Sequence, residues 1–265
     1  MNSFSFKKRY GQNFLIDKNI VNKIVDTIDI KPDNLVLEIG AGSGNLTSKL
    51  CEKFDNVLTY EIDKEVELDL KNNLSSFSNY EIIFDDFLER DIKKDIKKYT
   101  CNNLYIIANL PYYITTPIIE KITKENLNVE MMRLMVQKEV GDRFTAKCGT
   151  KEYGSITVYL NYNYDVKKDF IVSRNSFYPK PNVDSLIISF YKKNKTELNN
   201  EEHFYKLVKD SFKYKRKTLK NNLKDYDLEK IQFILKKYKL DLSVRAEALS
   251  NEIFYDISNS LNKCK

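Results

Sequence analysis

The chain has 265 residues, with 44 Lys+Arg against 38 Asp+Glu and a formal net charge of +6. A hydrophobic fraction of 42% is enough to build a core, and charges of mixed sign exclude a disordered polyelectrolyte. With 7 Gly and 5 Pro, a turn-rich all-β design is excluded too, and one or two domains fit the length.

In chain order, Ile20 to Ile28 carries a helical stripe that Asp17 can cap, and Pro32 ends it. Leu35 to Ile39 reads as a buried strand running into Gly40, Gly42 and Gly44, followed by a helix with Leu46, Leu50, Cys51 and Phe54 on one face. Strands at 57–62, 80–84, 104–108 and 129–136 alternate with helices over 66–74 and through Ile118, Ile119 and Ile122. That alternation indicates parallel βαβ units in a sheet covered on both faces. Ile156 to Tyr164 is ambiguous between strand and helix, while 169–173 and 185–191 read as strands closing the sheet. Lys192 to Asn200 is a polar linker, and beyond it Phe204, Leu207, Val208 and Phe212, then Leu228, Ile231, Ile234 and Leu235, predict a small helical domain. The expected domains are therefore 1–191 and 192–265.

The first of these holds 26 basic and 27 acidic residues, a balance of −1, and the second 18 and 11, a balance of +7. Such asymmetry points to a polyanionic partner for the tail. The single histidine, His203, beside Glu201 and Glu202, reads as a surface residue, and Cys51, Cys101, Cys148 and Cys264 form no CxxC pair. They fit free thiols of a reducing cytoplasm, with no metal site. Lys7, Lys8 and Arg9 are not followed by an apolar core, so the start does not read as a signal peptide. The most apolar run, Leu104 to Ile119, is too short to span a bilayer and is broken by Asn109 and Pro111.

Four constellations carry chemistry. Glu38 to Gly44 is a strand-to-helix turn in which missing side chains let backbone N–H groups approach a ligand. Its GxGxG spacing differs from the GxGxxG of dinucleotide enzymes. Glu61, ending the next strand, suits ribose hydroxyls, and Asp86, ending the one after, suits the exocyclic amine of an adenine. The second is Asn109-Leu110-Pro111-Tyr112, where an amide oxygen and a backbone carbonyl can accept both hydrogens of an exocyclic amine while Tyr112 stacks on the base. The third is the Pro-stiffened loop 177–185, whose Phe177 offers a second wall for that base. Plain turns account for either of these two in isolation. The fourth is basic: Lys7, Lys8 and Arg9, and Lys213, Lys215, Arg216, Lys217 and Lys220 with Tyr214 interleaved, suited to phosphate contacts or to a solvated face.

Together with Gly11-Gln12-Asn13-Phe14-Leu15, 136–140 and 215–223, these motifs make the chain resemble the ribosomal RNA adenine dimethyltransferases, and among them the small-subunit enzymes of the kasugamycin-sensitivity type. The likeness runs in order from about residue 8 to about residue 250; Cys148, where a proline is expected, departs from it in a loop. The resemblance implies a seven-stranded Rossmann-like S-adenosylmethionine-dependent methyltransferase sheet with its last strand antiparallel, a C-terminal all-helical rRNA-binding domain, and a helix over 154–164. It implies that Asn13, Leu15, Gly40, Gly42, Glu61, Asp86 and Asn109 line the S-adenosylmethionine site. Asn109, Leu110, Pro111, Tyr112 and Phe177 would position the target adenine. The implied reaction dimethylates N6 of two neighbouring adenosines in the 3′-terminal hairpin of small-subunit (16S) rRNA, on a pre-ribosomal particle, by a cytoplasmic monomer. The alternatives are a large-subunit (23S) rRNA methylase conferring macrolide resistance, a ribosome-assembly factor acting by binding, and, less well matched, a nicotinamide oxidoreductase.

Overall fold

The computed structural model describes residues 13–111 and 114–261, which form two compact units. The first comprises the chain up to Gly141 and Lys167–Tyr191; the second comprises Asp142–Val166 and Lys192 onward.

The first unit is built on β1 (Phe14–Leu15), α1 (Lys18–Asp26), β2 (Asn34–Ile39), α2 (Asn45–Lys53), β3 (Asn56–Tyr60), α3 (Glu67–Asn73), β4 (Tyr80–Ile83), α4 (Ile92–Ile96), β5 (Asn103–Asn109), α5 (Thr115–Lys124) and β6 (Val129–Gln137). The chain continues through α6 (Lys138–Phe144), α7 (Ser155–Asn163), β7 (Tyr164–Val172), β8 (Phe177–Tyr178) and β9 (Ser185–Lys192). Seven strands make one sheet in the order β4-β3-β2-β5-β6-β9-β7. Neighbours from β4 to β6 are parallel and β9 runs antiparallel to β6, so the last strand inserts beside β6 rather than at the edge. All six residues of β2 are buried, as a strand covered on both faces requires. Val36, Val57, Tyr105, Met131 and Ile187 face a core closed by Val21, Ile24 and Val25 of α1 and Leu46 and Leu50 of α2. Leu35, Leu37 and Ile39 alternate to the opposite face and are buried as well. Asp17 caps α1 as expected, its carboxylate accepting from the Asn19 and Ile20 amides.

One buried charge ties this unit across its layers. Arg133 on β6 donates to the Ile24 carbonyl at 2.7 Å and Thr27 Oγ1 at 2.7 Å, holding the end of α1, and to Ser189 Oγ at 3.0 Å. Its Nε also lies 3.1 Å from Asp169.

The second unit is helical: α7, α8 (Glu201–Ser211), α9 (Leu219–Asn222), α10 (Leu228–Lys237) and α11 (Asn251–Leu261). Residues 142–166, assigned from sequence to the first domain, belong here by packing, because Tyr153, Val158 and Tyr162 are buried in one cluster with Phe204, Leu207, Ile231 and Phe254. The ambiguous segment 156–164 is helix α7 up to Asn163, and Tyr164 begins β7. Thr157, Val158, Leu160, Tyr162 and Asn163 are all buried, so no single apolar stripe marks it as a helix. His203 is partly buried rather than on the surface, its ring 6.0 Å from that of Tyr226; burial first, then Lys206, holds its pKa below the usual value. Among the described residues no helix is long and apolar enough to cross a membrane, and no cluster of metal-ligating side chains occurs.

Candidate active site

The strand order reverses between β2 and β5, where β3 lies on one side of β2 and β5 on the other. A crevice at the carboxyl ends of such strands is where open α/β sheets bind ligands. A cavity opens at that position, and its lining includes Asn13, Leu15, Gly40, Gly42, Glu61, Asp86, Asn109, Leu110 and Pro111. Residues spread over nearly a hundred positions of sequence thus meet in one place.

The glycine turn at the cavity is closed by hydrogen bonds of its own. Gly40, Gly42 and Gly44 all have positive φ, at 81°, 54° and 85°, which L side chains rarely adopt. Their amides have internal partners: Gly40 N–H donates to the Tyr60 carbonyl, Gly42 N–H to Glu61 Oε2 at 2.8 Å, and Gly44 N–H to the Ala41 carbonyl. A Cβ on Gly42 would sit 2.9 Å from the Phe14 ring, so the missing side chain also admits the N-terminal strand.

Glu61 is buried, with Oε1 accepting from the Asp63 amide at 2.9 Å and Oε2 from Gly42. Burial raises its pKa. Glu38, which opens the glycine turn, lies in the same cavity wall. Its Oε2 accepts from Thr47 Oγ1 at 2.6 Å and Thr59 Oγ1 at 3.1 Å, while its buried Oε1 has no hydrogen-bond partner. Burial pushes its pKa up to about 8, against the two threonine hydrogen bonds. Two buried carboxylates and an orphaned oxygen at one cavity suit a ligand that carries positive charge, which would stabilise the ionised forms. The Asp86 Oδ1 caps the turn that follows, accepting from the Leu88 amide at 2.9 Å.

Asn109 ends β5, and its Nδ2 donates to the Asn13 carbonyl at 3.2 Å. Committing the amide nitrogen to Asn13 leaves Oδ1 as the acceptor on the other arm. Leu110 is buried, its amide paired with the Met135 carbonyl of β6. Antiparallel pairing of β1 with β8 places Leu15 opposite Phe177 and Phe14 opposite Tyr178. Phe177 is itself buried, in one apolar cluster with Leu15 and Met135. Tyr112, Lys7, Lys8 and Arg9 lie outside the described residues.

The chain matches the family described as ribosomal RNA adenine dimethylase over residues 3–263. It belongs to that family. A relative from Bacillus mycoides (strain KBAB4), ribosomal RNA small subunit methyltransferase A, is 42% identical to this dimethylase over 268 residues, covering 97% of this chain and 92% of that protein. The crystal structure of a dimethyladenosine transferase from Plasmodium falciparum is similar with a TM-score of 0.77 at 26% identity, covering 92% of this chain and 95% of that one. The 23S rRNA methyltransferase ErmE shares the fold, with a TM-score of 0.75 at 24% identity over 95% of this chain and 100% of its own.

In the helical unit of this dimethylase, Lys213, Lys215, Arg216, Lys217 and Lys220 are all exposed, in and just after the turn between α8 and α9. The turn is stapled by Asn222, a residue the sequence reading did not single out. Asn222 Nδ2 donates to the Ser211 carbonyl at 2.8 Å and the Tyr214 carbonyl at 3.2 Å, and Oδ1 accepts from the Tyr214 amide.

Proposed function

We propose that this chain transfers methyl groups from S-adenosylmethionine to N6 of two adjacent adenosines in the 3′-terminal hairpin of small-subunit rRNA, giving N6,N6-dimethyladenosines during ribosome biogenesis. The observation that carries this reading is the fixed amide of Asn109 at the carboxyl edge of β5, beside a cavity with two buried carboxylates. When bound, S-adenosylmethionine supplies a methyl group on a sulfonium, already activated for transfer to a neutral nitrogen.

The protein's own residues then have three tasks. Glu61 takes the ribose hydroxyls with the lone pairs its backbone partners leave, and Asp86 takes the adenine amine of the cofactor. Glu38, with its unpartnered oxygen, favours the cationic end of the same molecule. Asn109 Oδ1 and the Leu110 carbonyl accept the two hydrogens of the target amine and so turn its lone pair toward the methyl carbon. The bound cofactor would supply the methyl group with sulfur keeping the bonding electron pair, and the amine nitrogen would release its proton to water or a carboxylate. Orientation and proximity supply most of the acceleration, and no nucleophilic side chain is required.

The exposed cations from Lys213 to Lys220, with Lys7, Lys8 and Arg9, bind rRNA phosphates in a pre-ribosomal small subunit. The enzyme acts as a cytoplasmic monomer. The small-subunit name of the relative matched over 97% of the chain favours this substrate, and the likeness to the 23S enzyme is one of fold. The deciding experiment is methyl transfer from labelled cofactor to small subunits lacking the modification, with mapping of the labelled bases. Two labelled neighbouring adenines near the 3′ end are expected; label confined to large-subunit rRNA in a parallel reaction would overturn the assignment.

A further inference from the structure

Beside the cavity, and outside every role assigned so far, lies a group of charges around Arg90. Its guanidinium forms a fork on Asp95, with Nε 3.0 Å from Oδ2 and one terminal nitrogen 2.5 Å from Oδ1. The other terminal nitrogen reaches Asp85 Oδ2 at 3.3 Å. Asp95 is buried on α4, and Arg90 first, with the Tyr60 hydroxyl contributing, holds its pKa below the usual carboxylate value.

Both ends of this group reach the cavity wall. Asp85 Oδ1 accepts the amide of Asp86 at 2.9 Å, and Asp86 in turn caps Leu88, so the backbone at Asp86 is held from behind through Asp85. Tyr60, at the end of β3, donates to Asp95 Oδ2 at 3.3 Å and packs edge-on against Phe87, with ring centroids 5.1 Å apart. Tyr60, Asp85, Asp86 and Phe87 all line the cavity. A pair serving stability alone would need only the fork on Asp95; the third contact, on Asp85, joins two walls of the cavity through one cation. Of the two adjacent carboxylates, Arg90 offsets that of Asp85 and not that of Asp86.

We propose that Arg90 is a positioning residue for the adenine of the cofactor, fixing the segment from Asp85 to Phe87 so that Asp86 reads the exocyclic amine and rejects a 6-oxo purine. This rests on the cofactor reading above. It is tested with S-adenosylhomocysteine and S-inosylhomocysteine, whose purines differ at that amine, titrated calorimetrically against the full chain. The wild type binds the adenosyl form more tightly by about tenfold or more, because a site built around a donor leaves its acceptor unpaired against the oxo form.

Arg90→Gln weakens the adenosyl form by about tenfold and leaves the inosyl form nearly unchanged, so that selectivity collapses. Arg90→Lys, which keeps the charge without the fork, recovers part of it. Because Arg90→Gln strands the buried Asp95, Asp85→Asn is the second variant; it weakens the link to Asp86 while the Arg90–Asp95 pair stays, and the same loss of selectivity is expected. Equal weakening of both ligands, or no change in either, overturns the role of Arg90 while the cofactor reading stands. A wild type that binds neither ligand overturns the cofactor reading itself.

Discussion

In the sheet-bearing unit the charged groups nearest the cavity are turned inward and held: Glu38 by two threonines, Glu61 by backbone amides, Asp95 by Arg90. In the helical unit the cations from Lys213 to Lys220 are all exposed on a turn whose backbone, rather than whose charges, is fixed. Reassigning 142–166 moves three charges of each sign, so residues 1–141 and 167–191 still balance at −1, from 23 basic and 24 acidic, and the remainder at +7, from 21 and 14. The contrast separates two uses of charge. A buried carboxylate acts on a cation at short range, where the dielectric is low; an exposed lysine acts on an anion at long range, where salt screens it.

That contrast can be broken at several points. The largest effect is expected from Asn109→Ala, which lowers methyl transfer by about a hundredfold or more while cofactor binding, measured by calorimetry, is largely kept. Near-normal turnover would remove Asn109 from the mechanism. Arg133→Ala strips the buried cation from Asp169 and frees the end of α1, and should destabilise the first unit by about 3–5 kcal/mol in urea unfolding. An unchanged midpoint would show that the pair is dispensable.

Reversing Lys213, Lys215 and Lys217 to Glu should weaken rRNA binding and reduce the slope of log affinity against log salt by about 2 to 3, with cofactor affinity unchanged. A fall in cofactor affinity would contradict the division of charge between the units. A further test concerns pH. Glu38 has a folded pKa of about 8 against an ordinary 4.5, so the folded state holds a proton that the unfolded chain has lost. Stability from this group is full below pH 4.5 and declines as pH rises to about 8. Glu38→Gln should flatten that decline in thermal unfolding between pH 6 and 9; an identical slope would mean that Glu38 is ionised throughout.

Much of the sheet and of its cavity was legible in the residues because both rest on local signals. Strands such as Leu35 to Ile39 are largely apolar runs, and Glu61, Asp86 and Asn109 stand at strand ends or within three residues of them. What stayed hidden depends on distant partners. Helix α7 is buried on several sides and shows no stripe, and only its packing on Phe204 and Phe254 assigns 142–166 to the helical unit. The Gly40 and Gly42 amides are taken by Tyr60 and Glu61 on β3 and its exit, which no spacing within the turn reveals. Phe177 pairs with Leu15 across more than 160 positions, and that pairing accompanies its burial in the core. Arg90 and Asn222 are ordinary polar residues in sequence, and their meaning comes from the atoms they reach.

The excursion of 142–166 into the helical unit has a consequence for how the molecule is made. The polypeptide passes between the units three times, at 141/142, 166/167 and 191/192, so no single cut separates them. A nascent chain that has emerged only as far as Tyr191 holds every strand of the sheet but leaves Tyr153, Val158 and Tyr162 without the helices that bury them. The last 74 residues are therefore needed to bury that aromatic surface, and a fragment ending at Tyr191 should aggregate rather than serve as a free-standing transferase.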